Sequence, residues 1–475
     1  MDEQQTTPVN PRRRRRTKEE IFKENYLPVI IIGISILLCA VFIIGAVSRS
    51  IAQKRAHEEA VAASIAAAEE LKRKQDAEAE QLLASAQEYA NDYDYQQAIA
   101  TIDRFSGDIT IYPTLLSKRA EYESVGQQLV LWNDPGQVVN LSFQLLIADP
   151  NRAFKDRTYA SAYNRNFVTI DEFSKILSQL YENGYILVNL DDIYASKTDE
   201  NGNLTYEPKD LYLPSGKRPL MITQTQVNYY TYMTDGNGDR IPDAKGAGFA
   251  TKLILEDGKL VNSYITSDGQ TITGAFDLVP ILENFIASHP DFSYRGAKAT
   301  LAVTGYDGLF GYRTNPSAEK TFGTSAYQAA VQGAKEIIQA LREAGYEIAC
   351  YTYENLAYGN ISVNTIKQDL SYWKNEVTPI LGDVRTFVFA QNSDISSSAG
   401  PYSGQYYTVL RDAGFDIFLG FCGQNGNSWS YEGGQYARLG RLMVSGSNMA
   451  YHSSWFDGLF DCDAILDSTR GTIPK

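Results

Sequence analysis

With 475 residues, 44% of them hydrophobic and 21% charged, the chain can bury a large core and has room for more than one domain. A net charge of −14 argues against a nucleic-acid surface. Four cysteines in this length do not make a disulfide scaffold, so Cys350, Cys422 and Cys462 are expected as buried thiols, with any pairing among them left open.

The N-terminal tail, residues 1–28, carries the basic run Arg12–Arg16. Val29 to Val47 comes next, 19 residues without a charge. At about 1.5 Å per residue such a helix spans roughly 28 Å, the thickness of a bilayer core. A poor small-residue pattern around Ala46–Ser48 speaks against a cleaved signal peptide. The expectation is a single-pass membrane anchor. Its basic N-terminus stays cytoplasmic and its C-terminal bulk lies outside.

Residues 48–90 are rich in Ala, Glu, Lys and Gln and lack Gly and Pro, which reads as a helical stalk. Apolar residues at helical spacing on both sides of Asn91–Asp94, then a helix after Pro113, resemble one tetratricopeptide-like hairpin over 91–136. A single such unit has no solenoid to pack in, so it should dock on the next domain as a spacer.

From residue 137 onward, short apolar runs alternate with amphipathic segments. Strands are expected at Val138–Phe143, Ile186–Leu190, Leu220–Thr223, Ala299–Thr304, Tyr346–Tyr351, Thr386–Ala390 and Ile417–Phe421. Helices are expected at Ile170–Asn183, Val279–Ser288, Ser325–Ala344, Ile366–Ile380 and Gln405–Ala413, with Gly184, Gly345 and Gly414 as end signals. That alternation predicts an α/β barrel or doubly wound sheet. One insert, about 231–275, contains LILEDGKLVNSYIT, a β-hairpin pattern around Asp257-Gly258.

Several segments in order resemble polysaccharide deacetylases, the NodB-homology or carbohydrate esterase type. They are VTIDEFSKILSQLYENGYILVNLDDIY (Val168 to Tyr194), PLMITQTQVNYY (Pro219 to Tyr230), FSYRGAKATLAVTGYDGLFGYRT (Phe292 to Thr314), LREAGYEIACYTYENL (Leu341 to Leu356) and SYWKNEVTPILGDVRTFVFAQNSDI (Ser371 to Ile395). The likeness covers about 137–475 and is to the larger membrane-anchored members of Firmicute-type bacteria. It implies an α/β fold, a distorted (β/α)7-type barrel with a sugar groove at the strand ends, preceded here by the transmembrane helix and the helical stalk and hairpin.

The family's reaction implies an aspartate base, and a second aspartate and two histidines holding a metal, usually zinc, that acidifies a water. On this sequence the aspartate pair falls on Thr225 and Gln226, and the two histidines on Tyr351 and Asn355. The groove-wall Pro-Phe-Gly falls on Ala390, Gln391 and Asn392. Amide oxygens and a phenol are poor zinc ligands. The three histidines, His57, His289 and His452, include no pair at ligand spacing, so zinc is not expected. Asp394 and His452 remain as residual catalytic candidates, and Asp191, Asp192 and Asp394 as acids near the strand ends. Tyr229, Tyr230, Tyr351, Tyr353 and Trp429 are groove candidates by motif position, since aromatic faces stack on sugar rings. Separately, Asp235, Asn237, Asp239 and Asp243 have the 1-3-5-9 oxygen spacing of a calcium loop, without its glycine and glutamate.

The expected function is a pseudoenzyme that binds a cell-envelope glycan, peptidoglycan or another acetylated polysaccharide, without cleaving it. The alternatives are an active hydrolase of carbohydrate N-acetyl bonds through a rebuilt site, and a scaffold for wall-synthesis machinery.

Overall fold

A computed structural model describes residues 17–475, except 199, 201, 203, 397, 398, 424 and 425. The basic run Arg12–Arg16 lies outside the described residues. The chain divides into two units, one ending at Gln81 and one spanning Leu82–Lys475. In the first, Val29 to Val47 lies within the helix Leu27–Asn91, which is long and apolar enough to cross a membrane. No residue of that span is buried.

In the second unit, helices Tyr95–Ile102 and Pro113–Gly126 form a hairpin, the first capped by Asp94 and the second opened by proline. The turn that leads into it, Asp92–Asp94, is fastened to the segment 291–295. The Tyr93 hydroxyl donates to the Asp291 carbonyl at 2.8 Å, and the Arg295 amide donates to the Asp92 carbonyl at 3.0 Å.

Beyond it, seven strands run in parallel: β1 (Val139–Phe143), β2 (Arg218–Thr225), β3 (Thr300–Val303), β4 (Glu347–Cys350), β5 (Thr386–Val388), β6 (Ile417–Phe421) and β7 (Ala437–Met443). Each pairs with its neighbour in chain order, and β7 returns to β1 through Leu442↔Leu141 and Met443↔Ser142, so the sheet closes into a barrel. Side chains alternate across each strand. Met221, Ala302, Ala349, Val388, Leu419 and Leu439 fill the interior. Leu141, Phe143, Leu220, Ile222, Phe387 and Phe418 point outward under the helical layer. That layer comprises α1 (Ile170–Glu182), α2 (Leu278–Ser288), α3 (Thr324–Glu343), α4 (Val363–Tyr372) and α5 (Gly404–Asp412).

The barrel has the seven staves expected, but they are not the seven read from the sequence. Ile186–Leu190 is not one of them. Its strand covers only Tyr185–Leu187 and pairs with the first residues of β2, whose later residues pair instead with β3. Asn189 and Asp192 then form a capping box that turns Leu190–Ile193 helical. The missing stave is β7, whose run ARLGRLM is broken by Arg438 and Arg441 and so lacks the apolar signature of a covered strand. The segment read as one helix, Ile366–Ile380, ends at Tyr372 and passes through a π-turn, Trp373–Val377, into Thr378–Leu381. Pro379 cannot donate to the i−4 carbonyl, and the ladder widens ahead of it.

The insert forms a hairpin, Lys252–Glu256 with Lys259–Ile265, extended by Thr271–Gly274. Positive φ at Asp257 (50°) and Gly258 (76°) gives the turn the twist such hairpins need. The C-terminal segment is clasped to α1. Arg470 donates to both Glu172 oxygens at 2.6 Å and to the carbonyls of Asn164 and Phe167 at 2.7 Å, with both charged side chains at most 2% exposed. All four cysteines are free, and burial raises the thiol pKa of Cys422 and Cys462 to about 12.

Candidate functional site

The C-terminal strand ends form the barrel mouth, and the loops leaving them are strained. Gln226 and Tyr229 after β2, Thr352 and Asn355 after β4, and Gln391 and Asn392 after β5 all have φ between 51° and 61°. Left-handed backbone is tolerable for asparagine and costly for a β-branched threonine or a tyrosine, and such strain concentrates at functional sites.

Within the mouth, the interior face of β2 ends at Thr225, whose hydroxyl donates to the Phe143 carbonyl at 3.2 Å. The Tyr351 phenol lies beside the Thr225 hydroxyl and the Gln391 amide; burial pushes its pKa up, and Arg441 counters this in part. Arg441 occupies the same interior face of β7. It donates to the Ser142 hydroxyl and the Phe389 carbonyl, each at 2.8 Å, and lies 4.5 Å above the Phe421 ring. Among the described residues it makes no ion pair, and its Nε is buried without a partner. Burial pulls the guanidinium pKa down to about 10. Above these, the Gln226 amide reaches the Gln144 side chain at 3.4 Å, Gln391 donates to the Asn355 carbonyl at 2.6 Å, and Asn355 Oδ1 is a buried acceptor with no partner among the described residues.

Thr225, Gln226, Tyr351 and Asn355 are thus brought to one place, and none supplies an imidazole or a carboxylate. With a buried guanidinium beside them, these residues do not fit the zinc that the resemblance implies. Among the described residues, no group of three or more His, Cys, Asp or Glu side chains could hold a metal ion.

Asp394 is structural in its contacts. One oxygen accepts from the Ser396 amide (3.1 Å) and the Tyr402 hydroxyl (2.7 Å), and the other pairs with Arg438 at 3.0 Å. The Arg438 guanidinium lies 3.7 Å over the Tyr402 ring and 4.9 Å over Trp429. Three protein donors thus hold this carboxylate in place. Asp191 and Asp192 are corrected more sharply. They stand at the N-terminal end of the barrel, where the Lys298 amide, ahead of β3, donates to Asn189 (3.1 Å) and the Asn189 amide donates to Asp192 (2.8 Å). His452 is exposed and stacked on Trp455, 4.2 Å between ring centres.

The expected aromatic wall is also revised. Tyr229 is 1% exposed, donates to Asp277 at 2.7 Å and accepts from Asn262 at 3.0 Å, tying the insert to β2. Gln224, on the outward face of β2, donates to the same carboxylate at 2.7 Å, and burial raises the Asp277 pKa. Tyr230 is 0% exposed, stacked between Tyr232 and Tyr306. Tyr353 is buried and bonded to Glu376. Trp429 is half-buried, its indole N–H donating to the Phe421 carbonyl at 2.8 Å and its ring against Gly440, where a Cβ would come within 2.5 Å. These rings are mostly packing, because the mouth loops fold back over them.

In the Asp-rich loop, Asp235 accepts the amides of Asn237, Gly238 and Arg240, Asp239 accepts that of Ile241, and Asp243 accepts those of Gly236 and Lys245. The Lys245 ammonium donates to Asn237 Oδ1 at 2.9 Å. Most of these oxygens are taken by turn amides and one lysine, which a cation would have to displace, while Asp243 Oδ2 is buried without a partner among the described residues.

Sequence reasoning missed Arg441, Ser142 and Gln144. The only signal for Arg441 was the i, i+3 arginine pair in an otherwise strand-like run, which places one arginine on each face of β7.

No family model matches the chain, and no curated protein matches it. Among solved structures, the Streptococcus pyogenes deacetylase PplD in complex with acetate is similar at 11% identity, over 66% of this chain and 93% of that one, with a TM-score of 0.31. A likeness of that size says nothing about activity.

Proposed function

We propose that the chain is a bacterial, membrane-anchored protein with a polysaccharide deacetylase-like barrel that binds a cell-envelope glycan at its mouth as a pseudoenzyme. The observation that carries this reading is the chemistry of the mouth. Thr225, Gln226, Tyr351 and Asn355 offer hydroxyl, amide and phenol groups suited to hydrogen-bonding a sugar, and none can act as a base near neutral pH. Two buried polar atoms there, Arg441 Nε and Asn355 Oδ1, have no partner among the described residues, and a ligand hydroxyl or acetamide would provide one. The anchor reading, with an N-terminus in the cytoplasm and the barrel outside, rests on the apolar span and the basic run before it.

The test is twofold. Purified chain should be retained saturably on peptidoglycan or another acetylated wall polymer, and Gln226→Ala with Asn355→Ala should weaken retention. The same preparation should release no acetate from acetylated chito-oligosaccharides. Acetate release abolished by a chelator would sink the pseudoenzyme reading and favour a rebuilt hydrolase. Absence of retention on every wall fraction would leave the scaffold role.

A further inference from the structure

At the end of the barrel opposite the mouth, a cleft of about 580 Å3 separates the helical hairpin from the N-terminal strand ends, a size within the roughly 300–1,000 Å3 of small-molecule sites. Five tyrosines line it: Tyr93, Tyr95 and Tyr122 from the hairpin side, Tyr212 from the strand Leu211–Leu213 and Tyr294 from the turn before β3.

Docking of the hairpin accounts for only part of this lining. Tyr93 donates to the Asp291 carbonyl and stacks on Tyr294, and Tyr122 donates to Gln87 at 3.1 Å. Among the described residues, the hydroxyls of Tyr95, Tyr212 and Tyr294 have no hydrogen-bond partner, and Tyr212 is 44% exposed. Apart from the exposed Asp210 carboxylate, the ionic groups of the wall are occupied, Glu123 by Arg119 at 3.3 Å. Lys209 donates to the Asp191 carbonyl at 2.7 Å, Arg295 faces Asp94 at 3.8 Å, and Asp192 accepts from the Asn189 amide. Besides that carboxylate, what the cleft leaves free is neutral: phenol hydroxyls, ring faces, and the side-chain amides of Gln96 and Gln127. A strongly anionic ligand would find the two cations, Lys209 and Arg295, already engaged. A pyranose offers an apolar C–H face to a tyrosine ring and hydroxyls to phenols and amides.

We infer that this cleft is a second glycan site, taking a short neutral oligosaccharide and independent of the mouth. Two such sites would hold a wall polymer at both ends of the barrel and raise avidity without a new contact at either.

The experiment uses the full chain in a zwitterionic, sugar-free detergent, titrated calorimetrically with chitotetraose and with cellotetraose. At least one tetrasaccharide should bind. Tyr212→Ala should weaken that binding at least tenfold with the melting temperature unchanged, because the ring is exposed, and Tyr95→Ala should act in the same direction. Gln226→Ala should remove at most the mouth's share of the binding, and the component that Tyr212→Ala weakens should remain. Binding that ignores both tyrosine substitutions, or that Gln226→Ala alone removes, would overturn the cleft while supporting the mouth. Failure of both tetrasaccharides to bind would overturn the cleft outright.

Discussion

Two buried arginines make opposite predictions. Arg470 has a bidentate carboxylate partner, whereas Arg441 has none among the described residues. Arg470→Met would strand Glu172, 0% exposed in its side chain, as an uncompensated charge, and breaking one half of a buried pair costs about 3–5 kcal/mol. For Arg441, the fall in pKa from 12.5 to about 10 measures how far the site disfavours the charged form, on the order of 3 kcal/mol. Arg441→Met removes that burden but strips hydrogen bonds from the Ser142 hydroxyl and the Phe389 carbonyl, at about 1–3 kcal/mol together. The net should fall between zero and about 2 kcal/mol of stabilisation, with loss of retention on wall glycan. Denaturant unfolding at pH 7, followed by the fluorescence of the four tryptophans, would separate the two variants by several kcal/mol. A protein that retains a costly buried charge trades stability for binding. If Arg441→Met destabilised as much as Arg470→Met, the arginine would be scaffolding and the mouth would lose its main argument.

Three further outcomes are expected. Burial raises the Glu347 carboxyl from 4.5 to about 7, against hydrogen bonds from Thr386 and Thr300; the folded state therefore holds this proton more tightly, and the stability it adds is complete below about pH 4.5 and lost as the pH rises through 7. Glu347→Gln should flatten that part of the pH–stability curve, and an unchanged slope would show that other groups set it. Asp394→Asn should cost about 3–5 kcal/mol by leaving Arg438, 0% exposed in its side chain, without its counter-charge, and a cost under about 1 kcal/mol would return Asp394 to the functional acids. Asp235→Ala should cost about 1–2 kcal/mol equally in calcium and in chelator, because its oxygens cap turn amides; a calcium-dependent melting shift that the substitution abolishes would assign the loop to the metal.

Much of the fold was legible because its cause is local. Nineteen uncharged residues from Val29 to Val47 read as part of a helix long and apolar enough to cross a membrane, as the structure has it. Asp257-Gly258 writes its hairpin turn through backbone sterics, and Gly184 with its positive φ marks the end of α1. Six of the seven staves announce themselves as short apolar runs because both of their faces are covered. At the mouth the residue types at Thr225, Gln226, Tyr351 and Asn355 were readable as letters, but Arg441, Ser142 and Gln144 beside them were not.

Only the tertiary structure could decide which strand closes the barrel, because closure depends on partners at long range. An uninterrupted apolar run is absent from β7, and its two arginines are tolerated only because Arg438 finds Asp394 outside the barrel and Arg441 finds Ser142 and Phe389 inside it. Burial likewise separates rings that look alike in the sequence. Tyr229 and Tyr230 go into the core because Asp277 and Tyr306 await them there, while Tyr212 stays 44% exposed beside the second cleft. An acid's role is decided the same way: Asp394 and Asp192 were equal candidates as letters, and only the packing shows one locked to arginine and the other at the far end of the barrel. Residue types set the chemistry available to this chain, and the folded neighbours set which of those groups remain free to use it, because a hydrogen bond or ion pair already made inside the protein is no longer available to a ligand.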